Sequence, residues 1–157
     1  MHYLTDNTLV DVFTRNFKGL HPCSTTKTYD YWLPTMNLPL VLRSYEPDTE
    51  PYLVASQSYV DKWREKLPKR GKIYSFNWTG SSNFSQNMFR DIPIDYLLSK
   101  VGSSNRVNIC METSYNPECM IDLRNEVKSW EDTLAILHLS DMVFSSCSSV
   151  AHAAGVS

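Results

Sequence analysis

The sequence predicts an α/β fold in which a mostly parallel sheet is covered by helices on both faces. Three observations support this prediction. Apolar residues recur at helical spacing in several segments after residue 57, short apolar runs separate these segments, and the two patterns alternate along the chain. The predicted order is helix, strand, helix, strand, short strand, helix, strand and helix. The alternation favours parallel strands, because a parallel connection needs a crossover that is usually a helix.

The first helix of the regular part is predicted from three residues on one face, Val60, Trp63 and Leu67. A strand over 72–78 and a polar loop over 79–91 follow. The next helix is predicted from apolar residues at i, i+3, i+4 and i+7, which are Ile94, Leu97, Leu98 and Val101. We expect Asp91 to cap this helix and Gly102 to end it.

The rest of the chain continues the same pattern. Its predicted elements are strands over 106–112, 120–123 and 142–145, and helices over 129–139 and from Ser148 onward. Ser129 and Asp132, three residues apart, indicate a capping box at the start of the helix over 129–139. The segment 142–145, MVFS, is interpreted as a buried strand.

Residues 1–54 differ from this regular part. A short helix is indicated by the spacing of Leu4, Leu9, Val10 and Phe13. The segment 29–53, YDYWLPTMNLPLVLRSYEPDTEPYL, contains four prolines, which exclude long helices and central strands. We interpret it as an extended segment that packs its aromatic side chains on another surface, or as a crossover between domains.

The composition narrows the class of protein. A length of 157 residues is enough for one domain, or for one domain with part of another. The formal net charge of -2 argues against a general nucleic-acid binder, which normally has a basic stripe. No apolar run approaches the length of a membrane span, and the N-terminus shows no signal peptide. We therefore expect a cytoplasmic protein with no nucleic-acid partner.

The four cysteines are Cys23, Cys110, Cys119 and Cys147, and none of them has C-x-x-C spacing. We expect reduced, mostly buried thiols. Cys110 and Cys119 are the closest pair and could form a disulfide only in an oxidising compartment. No cluster has the spacing of metal ligands, so no metal and no cofactor is predicted.

Two loops that follow predicted strands have the composition of an anion site, and parallel sheets bind ligands at that edge. The first loop runs over 79–90. Gly80 allows close approach to the backbone, Thr79 and Ser81 supply hydroxyls, and Arg90 could hold a phosphate with two hydrogen bonds. The alternative is a solvated surface loop. Neither the G-x-G-x-x-G fingerprint nor the P-loop lysine is present.

The second loop, over 145–149, consists of small residues between a strand and a helix. The first amides of a helix have no internal partner and bear partial positive charge, so a phosphate fits there. Ser148 and Ser149 would donate further hydrogen bonds, and His152 lies one turn into the helix on the same side. The alternative is a serine-capped, alanine-rich helix packed on the sheet, with His152 in the core.

Two such loops on one sheet favour a diphosphate held between them. Glu112, at the predicted end of the second strand, is then a candidate partner for ribose hydroxyls. Its alternative is a solvated carboxylate.

Four blocks of the sequence occur in the same order in one protein family. They are YDYWLPTMNLPLVL, PYLVASQSYVDKWREKL, FNWTGSSN followed by FRDIPIDYLL, and SWEDTLAILHLSDMVFSSCSSVAHAAG. Over residues 28–157 the chain resembles the glycosyltransferase-like region that follows tetratricopeptide repeats in many bacterial proteins. That region is similar to the ADP-heptose:lipopolysaccharide heptosyltransferases.

The resemblance implies a GT-B arrangement of two facing Rossmann-like domains, of which the second binds the nucleotide-sugar donor. It implies that the donor diphosphate is bound by Thr79, Gly80, Ser81, Arg90, Ser148, Ser149 and His152. It also implies that Glu112 contacts the ribose and that Met120 lies near the base pocket. The second loop departs from the family pattern, because Cys147 and Ser148 replace its usual Asp-Thr pair.

Under this resemblance, residues 1–54 are the end of the acceptor-side domain with the crossover. Residues 55–157 are then the Rossmann-like donor half of a GT-B fold, incomplete at the C-terminus. We expect a fragment of a glycosyltransferase that is inactive alone and that, at full length, transfers the sugar to an unknown glycan, lipid or protein acceptor. The alternatives are a non-catalytic interaction module beside tetratricopeptide repeats, and another enzyme such as a nucleotide-sugar epimerase.

An incomplete sheet has an unprotected edge. We therefore also expect self-association, with strands or helices exchanged between chains.

Overall fold

The computed structural model describes residues 2–3, 6–23, 28–46, 50–102 and 104–157. The chain divides into two compact units, Met1–Pro51 and Tyr52–Ser157, which we call the N-terminal unit and the C-terminal unit. The predicted division falls after residue 54, and the assignment of the first part to an acceptor-side domain stays a prediction. Leu4 and Pro47, used in the predictions above, lie outside the described residues.

The N-terminal unit is mostly irregular. Its elements are strand β1 (His2–Tyr3), a 3-10 turn (Asn7–Leu9), helix α1 (Val10–Asn16), strand β2 (His21–Pro22), a second 3-10 turn (Thr35–Asn37) and helix α2 (Leu38–Leu42). Strands β1 and β2 pair in parallel. Phe13 of α1 contacts both Tyr3 and Phe17, with ring centroids 5.7 Å apart in each pair. The predicted short helix is therefore confirmed.

The described residues of the proline-rich segment, 29–46 and 50–53, form no long helix, as predicted. Helix α2 has 5 residues, includes Pro39 in its first turn and buries none of its side chains. Tyr31 and Trp32 are 93% and 83% exposed. Within the N-terminal unit these two aromatic side chains are therefore not packed, and their packing on another surface stays a prediction.

The C-terminal unit contains the predicted alternation of helices and strands. Its elements are α3 (Gln57–Lys66), β3 (Ile73–Asn77), a 3-10 turn (Asn87–Phe89), α4 (Ile94–Lys100), β4 (Asn105–Asn108), β5 (Ile121–Asp122), α5 (Trp130–Leu139), β6 (Met142–Ser145) and α6 (Ser149–Gly155). The strands form one parallel sheet in the order β5-β4-β3-β6. The predicted α/β class with a parallel sheet is therefore confirmed.

Side chains alternate along β3, and this alternation explains why helices cover both faces of the sheet. Phe76 packs in a buried cluster with Ile94, the first residue of α4. The neighbouring Ser75 points to the opposite face, where its hydroxyl lies 2.7 Å from that of Ser140 at the end of α5. Helix α3 packs along α5 and therefore covers the same face. Phe144 of β6 stacks on Phe76, with ring centroids 5.0 Å apart.

The buried carboxylate of Asp132 joins α3 to α5. One oxygen accepts hydrogen bonds from Lys62 Nζ at 2.6 Å and from Trp63 Nε1 at 2.8 Å. The other accepts from the amides of Lys128 and Ser129, at 3.0 and 3.1 Å, and from the Ser129 hydroxyl. Because the Ser129 hydroxyl also accepts from the Asp132 amide, the predicted capping box is confirmed.

These hydrogen bonds decide the ionisation of the buried carboxyl group. Burial acts to raise the pKa of Asp132, but the hydrogen bonds from Lys62, Lys128, Trp63 and Ser129 together hold this pKa below its ordinary value.

Three details of the predicted elements are wrong. Asp91 does not cap α4, whose N-cap position is Pro93, and the Asp91 carboxylate instead accepts from the Thr79 hydroxyl. Strand β4 ends at Asn108 rather than at residue 112. Strand β6, predicted to be buried, is half-buried and its first residue is 48% exposed, because β6 lies at an edge of the sheet.

No helix in the described part of the chain is long and apolar enough to cross a bilayer.

The cysteines differ from the expectation of mostly buried thiols. All four are free, and of the four only Cys110 is buried, which raises the pKa of its thiol. The pairing of β4 with β5 places Cys119 beside the start of β4, where its Sγ is 3.5 Å from Nη1 of Arg106. Cys110 and Cys119 are both free, so the disulfide considered between them is not formed in the structure.

We predict that Asp132→Asn lowers the free energy of unfolding by about 2 kcal/mol at pH 7, because the charged partner of Lys62 is lost. The folded pKa of Asp132 lies below the ordinary 3.8, so the stabilisation is complete above that pH and is lost as the pH falls through the folded value. Urea denaturation from pH 7 to pH 2.5 should therefore show the difference between the native chain and the variant shrinking below about pH 4.

The matched control is Asp61→Asn, since Asp61 pairs with Arg64 on the surface and 57% of its side chain is exposed. It should cost no more than about 0.5 kcal/mol. Equal losses for the two variants, or a difference that grows on acidification, would contradict the assigned role of Asp132.

Candidate functional site

The strand order places the two candidate loops side by side. From β3 the chain proceeds to β4 and β5 on one side, then returns to β6 on the other side of β3. Ligands of open parallel sheets bind outside the carboxyl ends of the strands at such a reversal. Asn77, the last residue of β3, pairs with Ser145, the last residue of β6. The loops that follow these two strands therefore border one crevice, which we call the β3–β6 crevice.

The first loop is closed by its own polar groups. The Thr79 hydroxyl donates to the Asp91 carboxylate, and Nδ2 of Asn87 donates to Thr79 Oγ1 and to Asp91 Oδ1, both at 2.9 Å. The half-buried Ser81 accepts the amide of Asn83 with its hydroxyl at 3.3 Å. Thr79 and Ser81 are therefore in the loop as predicted, but both hydroxyls already have partners.

Arg90 bridges the two loops. Its Nη1 donates to the backbone carbonyl of Cys147 at 3.0 Å, and its Nη2 donates to Asn87 Oδ1 at 2.8 Å. The guanidinium lies over the ring of Phe84, 4.3 Å from its centroid. The buried Nε has no hydrogen-bond partner among the described residues. Arg90 therefore fixes the position of the second loop through two of its five donors.

Gly80 leaves space that the Arg90 side chain fills. A Cβ atom at this position would lie 2.8 Å from Nη2 of Arg90 and 2.9 Å from Oδ1 of Asn87. A side chain at position 80 would therefore displace the ends of the Arg90 and Asn87 side chains, whether or not a ligand is bound.

The second loop is fixed by Asn77, which the sequence reasoning missed. Its side-chain Nδ2 donates to the hydroxyls of Ser145 and Ser148, at 3.3 and 3.0 Å. Its backbone carbonyl accepts from the backbone amide of Ser146 at 2.8 Å. Ser148 occupies the N-cap position of α6, yet its hydroxyl makes no capping hydrogen bond. The serine cap of the alternative interpretation is therefore not formed by Ser148, because this hydroxyl is bound to Asn77 of β3 instead.

Ser149 and His152 are both exposed. The amide of His152 donates to the carbonyl of Ser148 within α6. The alternative that placed His152 in the core is therefore wrong, and its contact with a bound anion stays a prediction.

The contact of Glu112 with a ribose and of Met120 with a base stays a prediction, but the structure shows where both residues lie. Glu112 is exposed in a turn beyond Asn108, where β4 ends, so it is not at the strand end as predicted. Met120 is 7% exposed and belongs to the buried cluster around Phe76 and Trp78. It is a core residue, which leaves little of its surface for a nucleotide base.

Known proteins give no further assignment. No protein-family model, curated protein or solved structure matches the chain. Within the described residues, no group of three or more histidine, cysteine, aspartate or glutamate side chains is arranged to hold a metal ion. The family resemblance therefore depends on the sequence blocks, and the site depends on the geometry of the β3–β6 crevice.

We predict that Gly80→Ala lowers the free energy of unfolding by about 1 kcal/mol, because the new methyl group displaces the ends of the Arg90 and Asn87 side chains and weakens the hydrogen bond between them. Gly102→Ala is the matched control, since a Cβ there meets no atom within 4 Å, and it should change stability by less than about 0.5 kcal/mol. Thermal or urea denaturation measures both. If Gly80→Ala is as stable as the control, the close packing of Arg90 against Gly80 is not important for the loop.

Proposed function

We propose that the chain is the donor-binding part of a GT-B-type glycosyltransferase and binds the diphosphate of a nucleotide sugar in the β3–β6 crevice. The observation that supports the proposal best is the adjacency of the two loops at the point where the strand order reverses. The bridge from Arg90 to Cys147 links the loops directly. A cytoplasmic location is part of the proposal, and the free cysteines agree with it.

In the proposed reaction, a nucleophile of the acceptor displaces the diphosphate at the anomeric carbon of the sugar. Catalysis then depends on stabilising the negative charge that develops on the leaving diphosphate. Arg90 and the hydroxyl of Ser148 are the proposed donors from this chain, with the backbone amides of the second loop. The resemblance assigns the acceptor site to the other domain, so we expect the chain alone to bind nucleotide without transferring sugar.

A non-catalytic interaction module is the second candidate, and one observation favours it. Polar groups of the crevice are already paired with one another: Thr79 with Asp91, Arg90 with Asn87 and Cys147. A loop that is closed by its own hydrogen bonds needs no ligand to be stable. This candidate predicts no nucleotide binding, and it predicts that substitutions in the crevice change stability alone.

We predict that calorimetric titration with UDP, ADP and GDP detects binding of at least one nucleoside diphosphate. Arg90→Ala should weaken that binding at least about tenfold, because charge-assisted hydrogen bonds to phosphate are lost. Arg70→Ala is the control: it removes the same charge at the amino end of β3, where Arg70 is exposed and its backbone carbonyl accepts from Asn105. No heat with any of the three nucleotides would contradict the donor site and favour the interaction module.

Self-association belongs to the same proposal. Strand β6 is at an edge of the sheet and is half-buried, and an edge strand presents backbone groups that can pair with another chain. We expect light scattering to show a mass above that of one chain as the protein concentration rises. A mass of 18.1 kDa at the highest concentrations would contradict pairing through this edge.

A further inference from the structure

We infer that Asn77 is a positioning residue that sets the conformation of the loop 145–148 and, through it, the affinity of the β3–β6 crevice for a diphosphate. The part of this inference that concerns affinity rests on the proposed function. Asn77 belongs to neither candidate loop: it is the last residue of β3 and is 5% exposed.

Each residue of the loop 145–148 has one partner on the β3 side. Asn77 binds the Ser145 hydroxyl at 3.3 Å, the Ser146 amide at 2.8 Å and the Ser148 hydroxyl at 3.0 Å. Arg90 binds the carbonyl of Cys147 at 3.0 Å. Three of the four attachments are therefore made by one residue, and two of these three use its side chain.

The side-chain amide of Asn77 also determines where the Ser148 hydroxyl points. This hydroxyl lies 3.0 Å from Nδ2 of Asn77 and 3.1 Å from the Ser145 hydroxyl, so the three groups form a closed triangle. Asn77 is buried, so water competes little for these bonds and they hold the loop strongly. A site that is fixed before the ligand arrives binds more tightly, because less conformational entropy is lost on binding.

Ser75→Ala provides the matched comparison. Ser75 is on the same strand and the same face as Asn77, is fully buried, and hydrogen-bonds Ser140 rather than the second loop. It therefore reports the cost of removing a buried hydrogen bond from β3 without touching the loop 145–148.

The experiment compares the native chain with Asn77→Ala, Asn77→Asp and Ser75→Ala. Hydrogen–deuterium exchange of the amides of residues 145–149 measures the order of the loop, calorimetry with UDP, ADP and GDP measures affinity, and thermal melting measures stability. We expect Asn77→Ala to speed exchange in the loop and to weaken diphosphate binding about tenfold, the effect of one to two lost hydrogen bonds. Ser75→Ala should lower the melting temperature similarly but leave loop exchange and affinity unchanged.

The Asn77→Asp variant separates the effect of Asn77 on diphosphate binding from its effect on the stability of the chain. A carboxylate can still accept hydrogen bonds from both serine hydroxyls, but it adds a negative charge beside the diphosphate. We expect its affinity, relative to that of the native chain, to fall as the pH is raised from 5.5 to 8, because the terminal phosphate of the nucleotide loses its second proton at about pH 6 and is then repelled more strongly by the carboxylate. A residue that acts only on stability gives no such pH profile.

The outcomes distinguish this inference from the proposed function. If the native chain binds a nucleotide and Asn77→Ala binds it equally well, the inference is overturned and the proposed function stands. If the native chain binds none of the three nucleotides, the proposed function fails. The exchange data then test the part of the inference that concerns the conformation of the loop 145–148. Faster loop exchange in Asn77→Ala, but not in Ser75→Ala, then supports the positioning role, whereas unchanged exchange overturns it.

Discussion

The buried carboxylate of Asp132 is the interaction on which the helical layer of the C-terminal unit depends. It accepts hydrogen bonds from α3 through Lys62 and Trp63, and it closes the capping box with Ser129 at the start of α5. A buried charge is tolerated only where its hydrogen bonds outweigh the cost of desolvation. The lowered pKa of Asp132 indicates that they do so here. The start of α5 and its packing against α3 are therefore set by one group.

The position of α5 in turn fixes where β6 enters the sheet. At the end of α5, the hydroxyls of Ser140 and Ser75 are hydrogen-bonded. The backbone amide of the next residue, Asp141, donates to the carbonyl of Ile73 at the start of β3, and the Asp141 carboxylate accepts from the Ile73 amide. These contacts set the register of β6 against β3. Because the register is fixed at the amino ends of the two strands, their last residues, Asn77 and Ser145, are paired with each other. The crevice is thus a consequence of contacts made at the opposite edge of the sheet.

The sequence was sufficient for the elements of the C-terminal unit, because these depend on local patterns of apolar residues and caps. The capping box of Ser129 and Asp132 is such a pattern, and the structure contains it as the sequence predicts. Glu112 was misplaced because β4 ends at Asn108, and an apolar run does not show where pairing with a neighbouring strand stops. Asn77 was missed for a related reason. A buried asparagine at a strand end has no local signature, and its role exists only once β6 has been placed beside β3.

The polar groups of the crevice differ in how many of their hydrogen-bonding atoms are already used. Thr79, Asn87 and Asp91 satisfy one another, so they hold the first loop in place and have little remaining capacity for a ligand. A guanidinium has five donors, and Arg90 uses two of them in the contacts described, so it can bridge the loops and still bind a phosphate. The crevice therefore separates into residues that build it and a smaller set that could bind an anion. Arg90 holds the two loops together and is also the proposed phosphate contact, so the effects of its substitution on stability and on affinity need separate measurements.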